Sequence, residues 1–392
     1  MDTTTTIQTF VDFYRERGHG RVTGTSLLTE PDDPVLFTSA GMHPLTPYLQ
    51  GRPHPQGRRL VNVQRCLRTT DLDEVGDSSH LTVFEMLGSW SLGDYDGPQS
   101  LRWGYELLTE GFGLDPGRVH VTVFGGNDEV GPDERSFRVW TELGLPVELL
   151  DQDNWWSNGP VGICGPDSEI FVWTGDGPPT GTPSTDNRWI EVWNHVMLRL
   201  HRHPNGRLSP APQDNVDTGM GLERMLMVRQ GRRSVYETDL LEPWVSVVGK
   251  QWELDETDLR VVVDHLRSSV VVTGDGVRPA SSGRGYVLRR LLRRSLTTLW
   301  QGDESRTLVD LPADLVGQML DHVRQPVEPE TVRQVILDEE QRFRTLVRRG
   351  RPLVERQRER SPDGLTSADL SYLHETHGLP PELVLSLLGE RG

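Results

Sequence analysis

Hydrophobic and polar positions change their period along this chain, and the change divides it. In "TIQTFVDFYRERG" (6–18) apolar residues recur at helical spacing and stop at a glycine, which predicts a helix. Short runs dense in β-branched and aromatic residues follow, "PVLFTS" (34–39), "RLVNVQ" (59–64), "HLTVFEML" (80–87) and "RVHVTVFGG" (118–126), and they read as strands. Between the last two, "PQSLRWGYELLTEGFG" (98–113) reads as a helix. "EIFVWTG" (169–175) and "WIEVWNHVMLRLHR" (189–202) make a long β-rich stretch. A loop then leads into "MGLERMLMVRQG" (220–231), which is helical with a glycine stop. Afterwards "DETDLRVVVDHLRSSVVV" (255–272), "RGYVLRRLLRRSLTTLW" (284–300), "ADLVGQMLDHVRQ" (313–325) and residues 331–360 all carry helical periodicity. Acidic residues open the first of these, the favourable end of a helix dipole. The pattern predicts an α+β fold: a largely antiparallel sheet with interspersed helices over 1–240, and an all-helical domain over 241–392.

Composition narrows the chemistry. The 392 residues suffice for two domains, and 35% hydrophobic with 25% charged residues is a globular balance. No apolar run reaches membrane-spanning length, and "MDTTTTIQTF" lacks the regions of a signal peptide, so a cytoplasmic protein with no membrane partner is expected. Cys66 and Cys164 supply neither a disulfide framework nor a zinc motif, so no zinc is expected. A formal charge of -17 argues against indiscriminate nucleic-acid binding, although Arg284 to Arg294 is locally basic. Lys250 is the only lysine. There is no Gly-Lys-Ser/Thr loop, so any ATP must be handled by arginines.

Four segments carry candidate chemistry. In "RCLRTTDLDEVGDSSHLTVFEMLGSWSLGDY" (65–95) Arg68 ends a strand, where a guanidinium can take a phosphate bidentately, and Phe84 and Met86 follow on the next strand, where they could face an adenine. "DNWWSNGPVGICGPDSEIFVW" (153–173) reads either as a rigid, apolar pocket wall or as a packed loop with buried aromatics. Strict alternation in "RWIEVWNHVML" (188–198) puts Glu191, Trp193 and His195 on one face and Val192, Asn194 and Val196 on the other. A polar Asn194 between valines needs a partner, either a substrate or a backbone group. In "NVDTGMGLERM" (215–225), a turn-like segment, Gly219 and Gly221 permit close approach, Asp217 suits a cation such as an ammonium, and Arg224 suits a phosphate on the first turn of a helix. An amine site beside a phosphate site is what amino-acid activation by ATP requires.

These segments, with "LFTSAGMHPLTPYLQG" (36–51), "VVVDHLRSSVVVTGDGVRPASSGRGYVLRRLLRRS" (261–295) and "LSYLHETHGLPPEL" (370–383), resemble alanyl-tRNA synthetases, in order and over almost the whole chain. The resemblance implies a class II synthetase domain over 1–240 and a tRNA acceptor-stem recognition domain over 241–392. It implies ATP binding by Arg68, Phe84, Met86 and Arg224, the two arginines being catalytic. It implies amino-acid binding by Trp156, Asn194, Asp217 and Gly219. Mg²⁺ would be a cofactor, with Glu191 as its ligand, and Ser281, Arg284, Arg289, Arg290 and Glu375 would meet tRNA.

The sequence also departs from the family pattern. Where the family carries an Asn-Glu pair before "GRGYVLRR" this chain has Ser281 and Ser282, and Glu375 stands for an Asp. "GICGPD" has Asp167 where the family has Cys. The family's editing and C-terminal domains do not follow, so the expectation is a monomer that charges without editing, in a specialised pathway. Two alternatives stay open: transfer of the activated amino acid to a carrier protein or small molecule, and a non-catalytic tRNA-binding paralogue.

Overall fold

The computed structural model describes residues 1–30, 33, 35–157, 159–301, 303–361, 364–379 and 381–388. Helix α1 (Thr3–Glu16) begins three residues before the apolar periodicity, because the Asp2 carboxylate accepts from the Thr5 amide and caps it. Strand β1 (Gly20–Arg21) and the short helix α2 (Thr46–Leu49) precede β2 (Arg59–Leu67) and β3 (Val83–Leu92). Then come α3 (Gly97–Glu106), β4 (Val119–Phe124), α4 (Glu134–Glu142), β5 (Val147–Leu150) and β6 (Trp155–Ser157). Three long strands follow, β7 (Gly162–Trp173), β8 (Trp189–Arg202) and β9 (Leu208–Gly221), and α5 (Leu222–Arg229) grows directly from the last.

Among the described residues these strands make one sheet in the order β1-β2-β3-β9-β8-β7-β4-β5, with β6 on β7. The β3–β9, β9–β8, β8–β7, β7–β4 and β6–β7 pairs are antiparallel, while β1–β2 and β4–β5 are parallel. The fold is thus α+β with a mainly antiparallel sheet.

Two local expectations are corrected. In "PVLFTS", of which Pro34 lies outside the described residues, residues 35–39 form no strand: Phe37 makes only an isolated bridge to Leu28, and Val35 and Leu36 stay 42% exposed. The stretch Asn215–Gly221 is not a turn or loop but the end of β9, paired on both sides, with Asn194 opposite Gly219 and Gly219 opposite Gly88. Of its glycines only Gly219 is closely approached, and from within: a Cβ there would lie 2.7 Å from the Met86 sulfur, whereas at Gly221 the nearest atom would be 3.7 Å away.

Each sheet face has its own core. On one face Phe10, Val11 and Tyr14 of α1, Leu101 of α3, Trp140 of α4 and Met225 of α5 pack with Trp193, Met197, Val216 and Met220. On the other, Leu45, Leu49, Leu60, Trp90, Ile163, Val196 and Leu198 form a smaller cluster against which Trp156 packs. Val196, Met197 and Leu198 of β8 go to the smaller, the larger and again the smaller cluster, as the pleat requires.

The chain forms two compact units, residues 1–68 with 84–242, and residues 69–83 with 243–392. The second is helical: α6 (Glu242–Trp252), α7 (Glu256–Gly274), α8 (Gly283–Trp300), α9 (Ala313–His322), α10 (Pro329–Arg360), α11 (Ser367–His377) and α12 (Pro381–Leu387). Helix α7 is buried continuously from Val261 to Thr273 and packs on α8, α9 and α10. The Thr82 amide and hydroxyl donate to the Asp264 carboxylate at 2.9 and 2.5 Å, and Arg267 donates to the Val83 carbonyl. Arg260 donates to the Gly76 carbonyl at 3.3 Å and Arg294 to that of Leu72 at 2.7 Å. Nothing in the local pattern of residues 69–83 signals these partners. No helix among the described residues is long and apolar enough to cross a membrane.

Candidate active site

The face of β7, β8 and β9 that carries the smaller core also carries the acidic and amide side chains. Strict alternation along β8 places Glu191 away from Asn194, and the structure corrects this. Ile170 pairs with Trp193 and Phe171 with Glu191, so Val192 is an extra, bulged residue. Val192 joins Trp193 in the larger core, and Glu191 turns to the face that holds Asn194. His195 remains with Trp193, beside Ser100 at 3.0 Å.

Asp217 lies in the same row as Asp167, each opposite Val196. It is 7% exposed, and its described partner is the Trp90 indole N–H, at 2.6 Å. Burial pushes its carboxyl up to about 7, and the Trp90 bond pulls the other way. Asp167 is also pushed up to about 7 by burial, against donation from Asn154 and Asn194. Glu169, opposite Asn194, lies well above the usual carboxylate range because it is partly buried beside Glu191, Asp167 and Asp153. The site therefore holds more buried carboxylate than buried cation, and a positive group entering it regains charge–charge energy.

The cations at its edge are arginines. Arg224, in the first turn of α5, donates from one guanidinium nitrogen to the Glu191 carboxylate at 2.9 Å and to its carbonyl at 3.2 Å. Arg68, exposed just past β2, donates to the Ser39 carbonyl at 3.2 Å, and its guanidinium stands 5.1 Å from the Phe84 ring centre. Met86 lies over Gly219, and its sulfur takes the Gly41 amide at 3.2 Å. Trp156 pairs with Gly165 across β6 and β7. Glu169 and Glu191 are hard oxygen donors of the kind Mg²⁺ takes, and the carboxylate crowding around Glu169 is what such a cation relieves.

Sequence reasoning missed Trp90, Asn154 and Glu169. Trp90 had a signal: it is two and four residues beyond Gly88 and Met86, so period-two counting puts it on their face. Its ring covers Gly88, where a Cβ would sit 2.0 Å from it.

The remaining predicted residues belong to the helical unit. Ser281 is exposed just before α8, and Arg284 is partly buried in its first turn. The Arg289 guanidinium stands 5.5 Å from the Tyr286 ring centre, and Arg290 reaches Asp73 at 3.5 Å. Glu375 is exposed on α11. The "RRLLRR" run is not simply a solvated face, since Arg293 is paired with Glu339 at 2.8 Å and Arg294 holds Leu72.

Residues 6–392 match the family model "tRNA synthetases class II (A)". An alanine–tRNA ligase of Treponema pallidum (strain Nichols) is 39% identical over 98% of this chain and 67% of that protein. One from Treponema denticola is 43% identical over 73% of this chain and 51% of that protein. One from Rubrobacter xylanophilus is 37% identical over 98% of this chain and 46% of that protein. The chain thus spans about half to two thirds of the length of these curated relatives.

Proposed function

The chain belongs to the class II (A) tRNA synthetases, and from that membership we propose that it activates alanine with ATP and transfers it to tRNA. The observation that carries this reading is Asp217: a buried carboxylate, held only by an indole N–H among its described partners, in a strand that runs directly into the helix bearing Arg224. An amino acid's ammonium supplies the missing cation, and Gly219, Trp156 and Asn194 surround it as amino-acid-binding residues.

In the first step the amino acid's carboxylate oxygen attacks the α-phosphorus of ATP. The new P–O bond forms as the bond to pyrophosphate breaks, and pyrophosphate leaves with that electron pair. No protein nucleophile is required, so catalysis is positioning plus stabilisation of charge. Arg68, beside Phe84, meets the α-phosphate while Phe84 and Met86 face the adenine. Arg224 meets the terminal phosphates on exchanging its bond to Glu191. Glu169 and Glu191 would hold Mg²⁺, which would supply neutralising charge at the phosphates. In the second step the terminal hydroxyl of tRNA attacks the carbonyl carbon, and AMP leaves. Residues 241–392 serve acceptor-stem recognition in this reading, with Ser281, Arg284, Arg289, Arg290 and Glu375 at the contact.

The test is ATP–pyrophosphate exchange with each amino acid, followed by charging of tRNA transcripts. Alanine-dependent exchange and alanylated tRNA are expected. Absence of exchange with every amino acid would overturn the activation step, and exchange without charging would redirect the product to a carrier or small molecule.

A further inference from the structure

Helix α10 changes sign along its length. Residues 329–341 hold four carboxylates against one arginine, while residues 342–360 hold eight arginines against two glutamates, in a chain of formal charge -17. Two of the eight are used inside the fold. Arg344 pairs with Glu340 at 2.7 Å and donates to the Arg306 carbonyl, and Arg351 pairs with Glu304. Arg342 is exposed and lies 3.8 Å from Glu339. Arg348, Arg349, Arg356, Arg358 and Arg360 are exposed, and their guanidinium groups have no ion pair or hydrogen bond among the described residues.

Helical spacing sorts these charges into lines. Positions seven or four apart stack on one side of a helix. Ile336, Phe343, Gly350 and Val354 follow that spacing and are buried. Phe343 stacks on Trp300 of α8, and a Cβ at Gly350 would meet Leu379 at 2.4 Å. Arg342, Arg349, Arg356 and Arg360 form a second line, offset by one residue, roughly 100° around the axis. Glu355 and Glu359 fall on a third line with Arg348, so the four-arginine line carries no carboxylate. It runs about 27 Å along the helix. It starts where α8 meets α10: Arg293 of α8 pairs with Glu339 at 2.8 Å, and its guanidinium stands 5.0 Å from the Phe343 ring centre.

A line of exposed arginines on a rigid helix suits a polyanion whose charges repeat. An anionic membrane would need apolar side chains to insert beside them, and no large apolar residue of α10 is exposed. We propose that Arg342, Arg349, Arg356 and Arg360 form a second RNA-binding surface, which meets backbone phosphates and lies outside the α8 contact already assigned. It reads no bases and supplies affinity and register. The inference rests on the reading of tRNA as the partner, and it extends the contact along α10.

The experiment compares two double variants of the full chain that lose the same charge from different sides of α10. Arg349→Gln with Arg356→Gln removes two members of the line, and Arg348→Gln with Arg358→Gln removes two arginines outside it. Binding of a tRNA transcript is measured between about 50 and 200 mM salt. The first double variant is expected to weaken binding at least about tenfold and to reduce the slope of log affinity against log salt by about two, one per arginine. The second should weaken binding by less than about threefold. Arg349→Lys with Arg356→Lys keeps both charges and should keep the slope. ATP–pyrophosphate exchange without tRNA should be unchanged in all of them, which also reports that each is folded. Equal losses in the two glutamine pairs would overturn the proposal, because net charge alone would then account for the binding. Unchanged tRNA affinity in the first pair would overturn it too, and if the unaltered protein still binds and charges tRNA, only this inference fails. Absence of tRNA binding by the unaltered protein would remove the tRNA reading itself. Binding of the arginine line to phosphatidylcholine vesicles carrying phosphatidylserine, with no effect on tRNA, would assign the surface to a membrane instead.

Discussion

Trp193 and Asn194 are neighbours on one strand, yet burial acts on them in opposite ways. On the face of Trp193, burial removes apolar surface from water and packs it against α1, with the Phe10 ring 5.8 Å away. On the face of Asn194, burial strips water from carboxylates and amides that lack a full set of partners. The difference teaches that depth within a sheet does not by itself measure stability. The face of Trp193 holds the larger apolar core, while the face of Asn194 combines a smaller core with buried carboxylates kept at a cost.

The comparison is broken most severely on the packed face. Trp193→Ala should destabilise the protein by about 3–5 kcal/mol through cavity formation, measured by urea unfolding. Any loss of exchange in that variant should follow the loss of folded protein. Asp217→Ala is the converse. Exchange should fall by the equivalent of about 2–5 kcal/mol, while the unfolding midpoint stays the same or rises. A large drop in stability with activity retained would show that Asp217 belongs to the structural face after all.

The titration of Asp217 sharpens the contrast. Its carboxyl is raised in the folded state, to about 7, so below pH of about 4 it is protonated in both states and contributes nothing. As pH rises from there toward 7, the unfolded chain loses the proton and the folded one keeps it, so this group lowers stability progressively and then levels off. Asp217→Asn should therefore become more stable than the unaltered protein as pH climbs through this window. The ceiling is on the order of 4 kcal/mol, and alanine should narrow the gap if it brings an ammonium. Urea titrations at several pH values check this, and a gap independent of pH would contradict it. The smallest effect belongs to the site's rim. Arg224→Lys keeps the charge but loses the fork, so the ATP KM should rise or turnover fall by about tenfold, with stability changed by no more than about 0.5 kcal/mol.

Much of this was legible in the sequence for a physical reason. Strand β8 and the helices after residue 240 carry a clear period, whereas Leu208–Gly221 reads as a loop and is the strand β9. The bulge at Val192 was not legible, because alternation assumes one residue per pleat and a single extra residue reverses every face before it. Asn154 and Glu169 look unremarkable alone, since their importance lies in which carboxylate or amide reaches them from another strand. The support of residues 69–83 was hidden for the same reason, in an extreme form.

That last feature has a temporal side. Thr82 and Asp264 are separated by 182 positions. During synthesis at about 5–20 residues per second, the segment between Arg68 and Phe84 waits roughly 10–40 s for the helix that receives it. Strands β2 and β3 on either side can form their ladders meanwhile, while the connection between them has only solvent for company. A nascent chain halted before α7 therefore carries an unfinished hairpin, open to proteases at residues 69–83. Protection there should arrive abruptly, once α7 and α8 have left the ribosome.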